Sequence, residues 1–154
     1  MQNVFIYYVP KERLLVDSTG YTIDTDKYPA TAITVNSLLC VTLFDASQGT
    51  TAYTGFTGMT TFEASFDVNF EHSTLIDVAD GDINQVGDWG DLDVANGKLS
   101  VRMDFDDADV ISEIGTDELL DTGEVEIRGY DGSSNLIGWI RFPLYLWNLQ
   151  GYTP

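Results

Sequence analysis

Short segments in which apolar and polar residues alternate are the feature that most limits the fold of this 154-residue chain. Between residues 59 and 68, apolar side chains fall on one face of an extended strand and polar side chains on the other. The apolar set is Phe62, Ala64, Phe66 and Val68, and the polar set is Glu63, Ser65 and Asp67. Such alternation predicts a strand with one buried and one solvated face.

Similar short segments follow one another along the chain, and turn residues separate them. They predict seven to nine strands and therefore an all-β fold, specifically an antiparallel β-sandwich. The predicted strands span residues 3–9, 11–16, 31–35, 38–44, 59–68, 75–78, 98–105, 122–130 and 136–146. One short helix is predicted at about 106–115, where Val110, Ile111 and Ile114 have helical spacing and Gly115 supplies a stop.

The N-terminal part of the chain is the hardest to assign to the sandwich. We predict an N-terminal strand and arm over residues 1–36 and a β-sandwich domain over 37–154, together forming one compact unit. The arm is long enough either to pack on its own domain or to add a strand to the sheet of another copy.

The last predicted strand is apolar on both of its faces. Trp139, Arg141, Pro143, Tyr145 and Trp147 alternate with Ile140, Phe142, Leu144 and Leu146. This pattern is typical of a strand buried on both sides. It also fits a strand whose aromatic face meets another subunit, because large aromatic side chains are enriched at such interfaces. Pro143 favours a position at a sheet edge or a bulge.

The charge of the chain disfavours two classes of partner. Seven Lys and Arg face 25 Asp and Glu, which gives a formal net charge of −18. Nucleic-acid binding depends on cations that displace counterions from phosphates, and binding to anionic membranes depends on basic segments. We therefore expect neither nucleic acid nor a membrane as a partner. A high like charge also keeps copies of a protein apart and soluble.

The sequence contains few of the residues that catalysis needs. His72 is the only histidine and Cys40 the only cysteine, so several-histidine metal sites and an intrachain disulfide are excluded. A Gly-x-Ser-x-Gly elbow and a phosphate-binding loop are both absent from the sequence. We predict that the protein is not an enzyme. Paired carboxylates, as in a glycoside hydrolase, remain the open alternative because 25 acids supply many pairs.

An acidic loop over residues 80–93 contains the one pattern that suggests a cofactor. Oxygen-bearing residues recur there with the spacing of a calcium-binding loop, at Asp80, Asp82, Asn84, Asp88 and Asp91. Gln85 stands where such loops have glycine, and Asp91 where they have glutamate. The alternative is a solvated acidic loop without a bound ion. We predict no obligatory cofactor, with Ca²⁺ as the candidate ligand of this loop.

Tryptophans and tyrosines are the candidate contact residues for a ligand or a partner. Trp89 lies between Asp88 and Gly90 in the acidic loop, where a core role is not obvious. Trp139 and Tyr145 lie in the last predicted strand, and Trp147 directly follows it. An exposed aromatic ring can stack on a sugar or bury itself in a protein interface.

The order of several segments resembles that of a known group of domains. The segments are Val41–Asp45, Thr54–Gly58, Thr61–Val68, Ala95–Val101, Asp106–Gly115, Gly123–Ile127 and Ile140–Leu146. Over about 38–148 this order resembles the immunoglobulin-like N-terminal domains of bacteriophage baseplate upper proteins and related tail or fibre attachment domains.

The resemblance implies a fold, a class of function and a location. It implies an immunoglobulin-like β-sandwich in a virion structural protein of the tail, baseplate, fibre or capsid surface. Its partners would be further copies in a homo-oligomer, often a trimer, together with other virion proteins and host-surface glycans. The start Met1–Phe5 has no basic n-region, so we expect no signal peptide and synthesis in the host cytoplasm. The alternative function is a carbohydrate-binding module organised by calcium.

Overall fold

A computed structural model of the chain describes residues 2–32, 37–68, 75–77, 92–103 and 120–147. The described residues form strands and two single-turn 3-10 helices, and this confirms the all-β class. In chain order the strands are β1 (Gln2–Val9), β2 (Leu14–Val16), β3 (Ala30–Ala32), β4 (Ser37–Leu43), β5 (Thr61–Val68), β6 (Leu75–Asp77), β7 (Leu92–Asp93), β8 (Lys98–Met103), β9 (Leu120–Tyr130) and β10 (Leu136–Trp147). The 3-10 helices are Thr25–Lys27 and Val94–Asn96. The predicted helix 106–115 lies outside the described residues.

The strands form two five-stranded sheets that share one apolar core. The first sheet has the order β2-β1-β4-β8-β7, and the second has the order β3-β10-β9-β5-β6. Buried side chains of β1, β4 and β8 belong to the same cluster as buried side chains of β5, β9 and β10. The ring of Tyr8 in β1 lies 5.9 Å from the ring of Phe142 in β10, so the two sheets are in direct contact.

Two strand pairs are parallel, and the purely antiparallel arrangement predicted from the sequence is therefore wrong. β1 pairs with β4 in parallel, and β3 pairs with β10 in parallel. After the β1–β2 hairpin the chain crosses to the second sheet for β3 and then returns to the first. A strand that returns in this way can lie beside an earlier strand in the same direction, which a hairpin cannot achieve.

The predicted N-terminal strand and arm contribute to both sheets. β1 lies between β2 and β4 in the first sheet, while β3 lies at the edge of the second. All seven residues of β4 are buried, as expected for a central strand with a nearly continuous apolar sequence. Cys40 lies in β4 as a buried free thiol, and burial raises its pKa. A higher pKa keeps the thiol protonated and weakly reactive.

Over residues 62–65 the alternation predicted for β5 is confirmed except at one residue. Phe62 and Ala64 are buried and Glu63 is exposed, as the pattern predicts. Ser65 was expected on the solvated face, yet it is only 1% exposed. Its hydroxyl accepts a hydrogen bond of 2.9 Å from Nη2 of Arg128, which lies in the neighbouring strand β9 and directs its guanidinium to this face. A polar side chain can be buried when a neighbour supplies its hydrogen bond.

Candidate binding groove

Six of the nine candidate site residues predicted from the sequence fall outside the described part of the chain. The predicted calcium ligands Asp80, Asp82, Asn84, Asp88 and Asp91 lie there, and so does Trp89. Within the described ranges, no three His, Cys, Asp or Glu side chains converge in a way that could hold a metal ion. Trp139, Tyr145 and Trp147 all lie in β10.

β10 has one buried face and one face directed outward. Ile140, Phe142 and Leu144 are at most 4% exposed, and they pack in the core. Trp139 points the other way and is 56% exposed. The interpretation of a strand buried on both sides is therefore wrong at Trp139. Tryptophan is enriched at protein interfaces, so an open tryptophan on a strand is a candidate contact residue.

The side chain of Tyr145 has different surroundings from that of Trp139. The ring of Tyr145 stacks on the ring of Tyr28 with 5.7 Å between their centroids, so it is a packed side chain. The backbone of Trp147 pairs with Leu120 in β9 and with Ala32 in β3. Trp139 therefore forms an open aromatic surface, whereas Tyr145 does not.

Much of β10 has a described neighbour on one side only. β9 pairs with it along nearly its whole length, whereas β3 pairs only with Tyr145–Trp147. The backbone N–H of Tyr145 donates to the carbonyl oxygen of Pro29 across this second side. Residues of the same parity direct their N–H groups the same way, so position 143 also faces this side. Proline has no N–H, and Pro143 thus fits the edge position that the sequence predicts.

A groove lies between this side of β10 and the β1–β2 hairpin. Its volume is about 480 Å³, within the roughly 300–1,000 Å³ range typical of small-molecule sites. Its aromatic and charged lining residues are Tyr8, Arg13, Tyr28, Glu124, Trp139 and Arg141. Prolines at 10 and 143 and the side chains of Leu14, Leu15 and Ile140 complete the lining.

Ion pairs hold one wall of the groove in place. Nη1 of Arg141 lies 3.4 Å from Oε1 of Glu124, and Nη2 lies 3.0 Å from Oε2 of Glu126. The guanidinium carbon of Arg141 also lies 4.3 Å from the ring centroid of Trp139. A cation placed over an aromatic face is attracted to it, so Arg141 fixes the orientation of the tryptophan. The guanidinium covers one face of the ring, and the high exposure of Trp139 leaves the other to solvent.

The same network of ion pairs continues from β10 across β9 to β5. Oε1 of Glu126 lies 2.9 Å from Nη1 of Arg128. Nε of Arg128 in turn lies 3.4 Å from Oε2 of Glu63. Burial lowers the pKa of Arg128, but the hydrogen bond to Glu126 and the two glutamate charges outweigh this and raise it. Arg128 therefore stays charged, and the network ties β5, β9 and β10 into a rigid support.

Tyr8 supplies a hydroxyl group from the floor of the groove. Burial raises its pKa, the charge of Arg13 lowers it, and the charge of Glu124 raises it, with a net increase. The phenol is therefore neutral at pH 7 and can donate a hydrogen bond. Because Arg13 and Glu124 both act on this hydroxyl, the three polar groups lie within electrostatic reach of one another.

Arg13 stands at the turn of the β1–β2 hairpin in an unusual conformation. The backbone N–H groups of Glu12 and Arg13 donate to the carbonyl oxygens of Val9 and Pro10, which closes the turn. Arg13 has a φ of 52°, in the left-handed region that favours glycine. A residue with a long side chain at such a position is uncommon, and such strain is concentrated at functional sites.

Sequence reasoning identified Trp139 but missed Tyr8, Arg13, Tyr28 and Glu124. These residues belong to separate segments, which come together only when the two sheets pack on each other. One local signal was available, since Arg13 follows Pro10 at a turn where glycine or asparagine is the usual residue.

Comparison with known proteins leaves the groove as the main guide to function. No protein-family model matches the sequence, and a search of curated proteins finds no match. Among the described residues, no helix has the length and apolar character required to cross a bilayer.

Proposed function

We propose that this chain is a bacteriophage virion structural protein that acts through contacts between subunits. It would be a component of the tail, baseplate, fibre or capsid surface, and its two sheets would form an immunoglobulin-like sandwich. The proposal rests on the order of segments in the sequence and on one structural observation. β10 exposes two large apolar side chains, Leu136 at 57% and Trp139 at 56%.

Two physical arguments connect this strand with assembly. Burial of exposed apolar and aromatic side chains against a second protein surface is favourable because it removes them from water. The net charge of −18 opposes close contact of copies except where such a surface overcomes the repulsion. The expected assembly is a homo-oligomer such as a trimer, or a complex with other virion proteins.

The mass of the protein in solution tests the proposal. We expect analytical ultracentrifugation of the full chain to find an oligomer, and Trp139→Ala to raise its dissociation constant by about tenfold. Tyr21→Ala is the matched control because Tyr21 is similarly exposed, at 55%, but lies in the loop between β2 and β3. A monomer at high concentration, both alone and with the products of the flanking genes, would contradict the proposal.

A carbohydrate-binding module is the second candidate, and the groove favours it. Trp139 offers a free ring face beside the charged pair of Glu124 and Arg141, which can bond hydroxyl groups. Binding to a glycan array, lost in Trp139→Ala, is the expected result. Repeating the array with a chelator tests whether calcium at Asp80, Asp82, Asn84, Asp88 and Asp91 organises binding.

A further inference from the structure

We propose that the groove binds a saccharide that carries a carboxylate, and that Arg13 is the residue that binds this carboxylate. The proposal rests on the second candidate function, since it specifies the class of sugar. It does not depend on oligomer formation.

The first argument is that Arg13 has no acidic partner among the described residues. The chain has 25 acids for seven bases, so most cations should find a partner. Lys11 lies 2.8 Å from Asp45, and Arg128 and Arg141 are each held by two glutamates. Among the described residues no carboxylate lies within ion-pair distance of Arg13, Lys27 or Arg102, and of these three only Arg13 lines the groove. An anion from outside the chain would satisfy its guanidinium.

The second argument is the backbone at Arg13. At φ 52° a glycine would be the residue of lowest energy, and arginine is kept at a cost in stability. A side chain retained against local preference indicates a role for the side chain itself. A guanidinium binds a carboxylate through two parallel hydrogen bonds, which lysine cannot reproduce.

The third argument selects a saccharide over an acidic peptide. A pyranose presents a flat array of C–H groups on one face, which suits the free face of Trp139, and hydroxyls around its rim. The hydroxyl of Tyr8 and the carboxylate of Glu124 provide a donor and an acceptor for those hydroxyls. The net charge of −18 repels a polyanion, so one carboxylate per bound unit fits the site better than an acidic peptide run.

Direct binding measurements test the proposal. The probes are oligosaccharides that contain glucuronate, galacturonate or sialate, each with its neutral counterpart, titrated calorimetrically against the full chain. We expect at least one acidic probe to bind, and its neutral counterpart to bind roughly ten- to a hundredfold more weakly. Arg13→Gly should remove this preference and Arg13→Lys should restore it in part. Lys27→Ala is the control for loss of one positive charge.

Stability separates loss of binding from loss of folding. Because glycine relieves the backbone conformation at position 13, Arg13→Gly should melt at the same temperature as the parent or roughly 2 °C above it. Preference for an acidic peptide, equal binding of acidic and neutral sugars, or no binding of any probe would overturn the inference. Equal binding would leave the carbohydrate-binding function standing, and no binding with an intact oligomer would leave the virion proposal standing.

Discussion

Gly129 and Gly138 face each other across β9 and β10, and together they make room for the ring of Phe56. A methyl group at position 138 would collide with that ring, and one at position 129 would collide with Met59 and reach Phe56. Phe56 and Met59 are both buried in the shared core, at 3% and 5% exposure. The two glycines therefore let residues of the loop before β5 close this end of the core.

Gly138→Ala should destabilise the protein because the added methyl overpacks the space under Phe56. We expect the free energy of unfolding to fall by about 2 kcal/mol, measured by urea denaturation. Gly132→Ala is the control, since a methyl there would meet no atom within 4 Å. Equal stability of the two variants would show that Phe56 does not occupy this slot.

Thr42→Val should stabilise the protein. Thr42 lies in β4 at 6% exposure, and its Oγ1 has no hydrogen-bond partner among the described residues. Valine keeps the shape and β-branching of threonine but removes the buried hydroxyl, so the free energy of unfolding should rise by about 1 kcal/mol. Ser65→Ala should lower the free energy of unfolding by about 1 kcal/mol, because the hydroxyl of Ser65 accepts a hydrogen bond from Arg128. A loss of stability in Thr42→Val would indicate that the hydroxyl is bonded.

Glu126→Gln should be strongly destabilising. The side chain of Glu126 is 6% exposed and lies 2.9 Å from Arg128 and 3.0 Å from Arg141. Removing its charge leaves two guanidinium groups without their shared partner, and we expect a loss of about 3 kcal/mol in denaturation experiments. Glu63→Gln is the matched control, because Glu63 is 62% exposed and a screened ion pair contributes about 0.5 kcal/mol. A similar small loss in both variants would contradict the shared role of Glu126.

Local sequence patterns predicted much of the fold because each strand has its own alternation. Alternation within the predicted strands 98–105 and 122–130 places Leu99, Val101, Val125 and Ile127 on the apolar faces, and all four are at most 1% exposed. The loop 131–135 was expected to turn the chain, and the carboxylate of Asp131 accepts hydrogen bonds from the backbone N–H groups of Ser133 and Asn135. Such Asx turns are encoded by neighbouring residues and are readable without the rest of the structure.

Pairing between distant segments could not be read from the sequence in the same way. Alternation shows which face of a strand is buried but not which strand lies beside it, so the parallel β1–β4 pair was missed. Glu126 falls on the outward face of β9, and only the two arginines of β9 and β10 explain its burial. The groove was missed for the same reason, since Arg13 and Trp139 come from opposite ends of the chain.

Acid should destabilise the protein through several hydrogen-bonded carboxylates. The backbone N–H of Ser47 lowers the pKa of Glu12, and the backbone N–H of Asn135 lowers the pKa of Asp131. The hydroxyl of Thr19 does the same for Asp17, and Lys11 does so for Asp45. A carboxyl group whose pKa is lower in the folded state stabilises the fold fully at pH values above its ordinary pKa. That contribution is lost as the pH falls through the pKa of the folded state.

Asp131→Asn isolates one of these contributions. The ordinary pKa of an aspartate is 3.8, so the parent should lose stability relative to this variant as pH falls below about 4. Urea unfolding of both proteins between neutral pH and pH 2.5 measures the difference between their free energies of unfolding. Protonation of the other carboxylates changes charge repulsion equally in both proteins, because each starts with nearly the same net charge of −18, so this effect cancels in the difference. Asp26→Asn is the control, because in the described part of the chain its carboxylate accepts no hydrogen bond. A stability difference between the parent and Asp131→Asn that stays constant with pH would show that the Asp131 turn does not depend on the charged carboxylate.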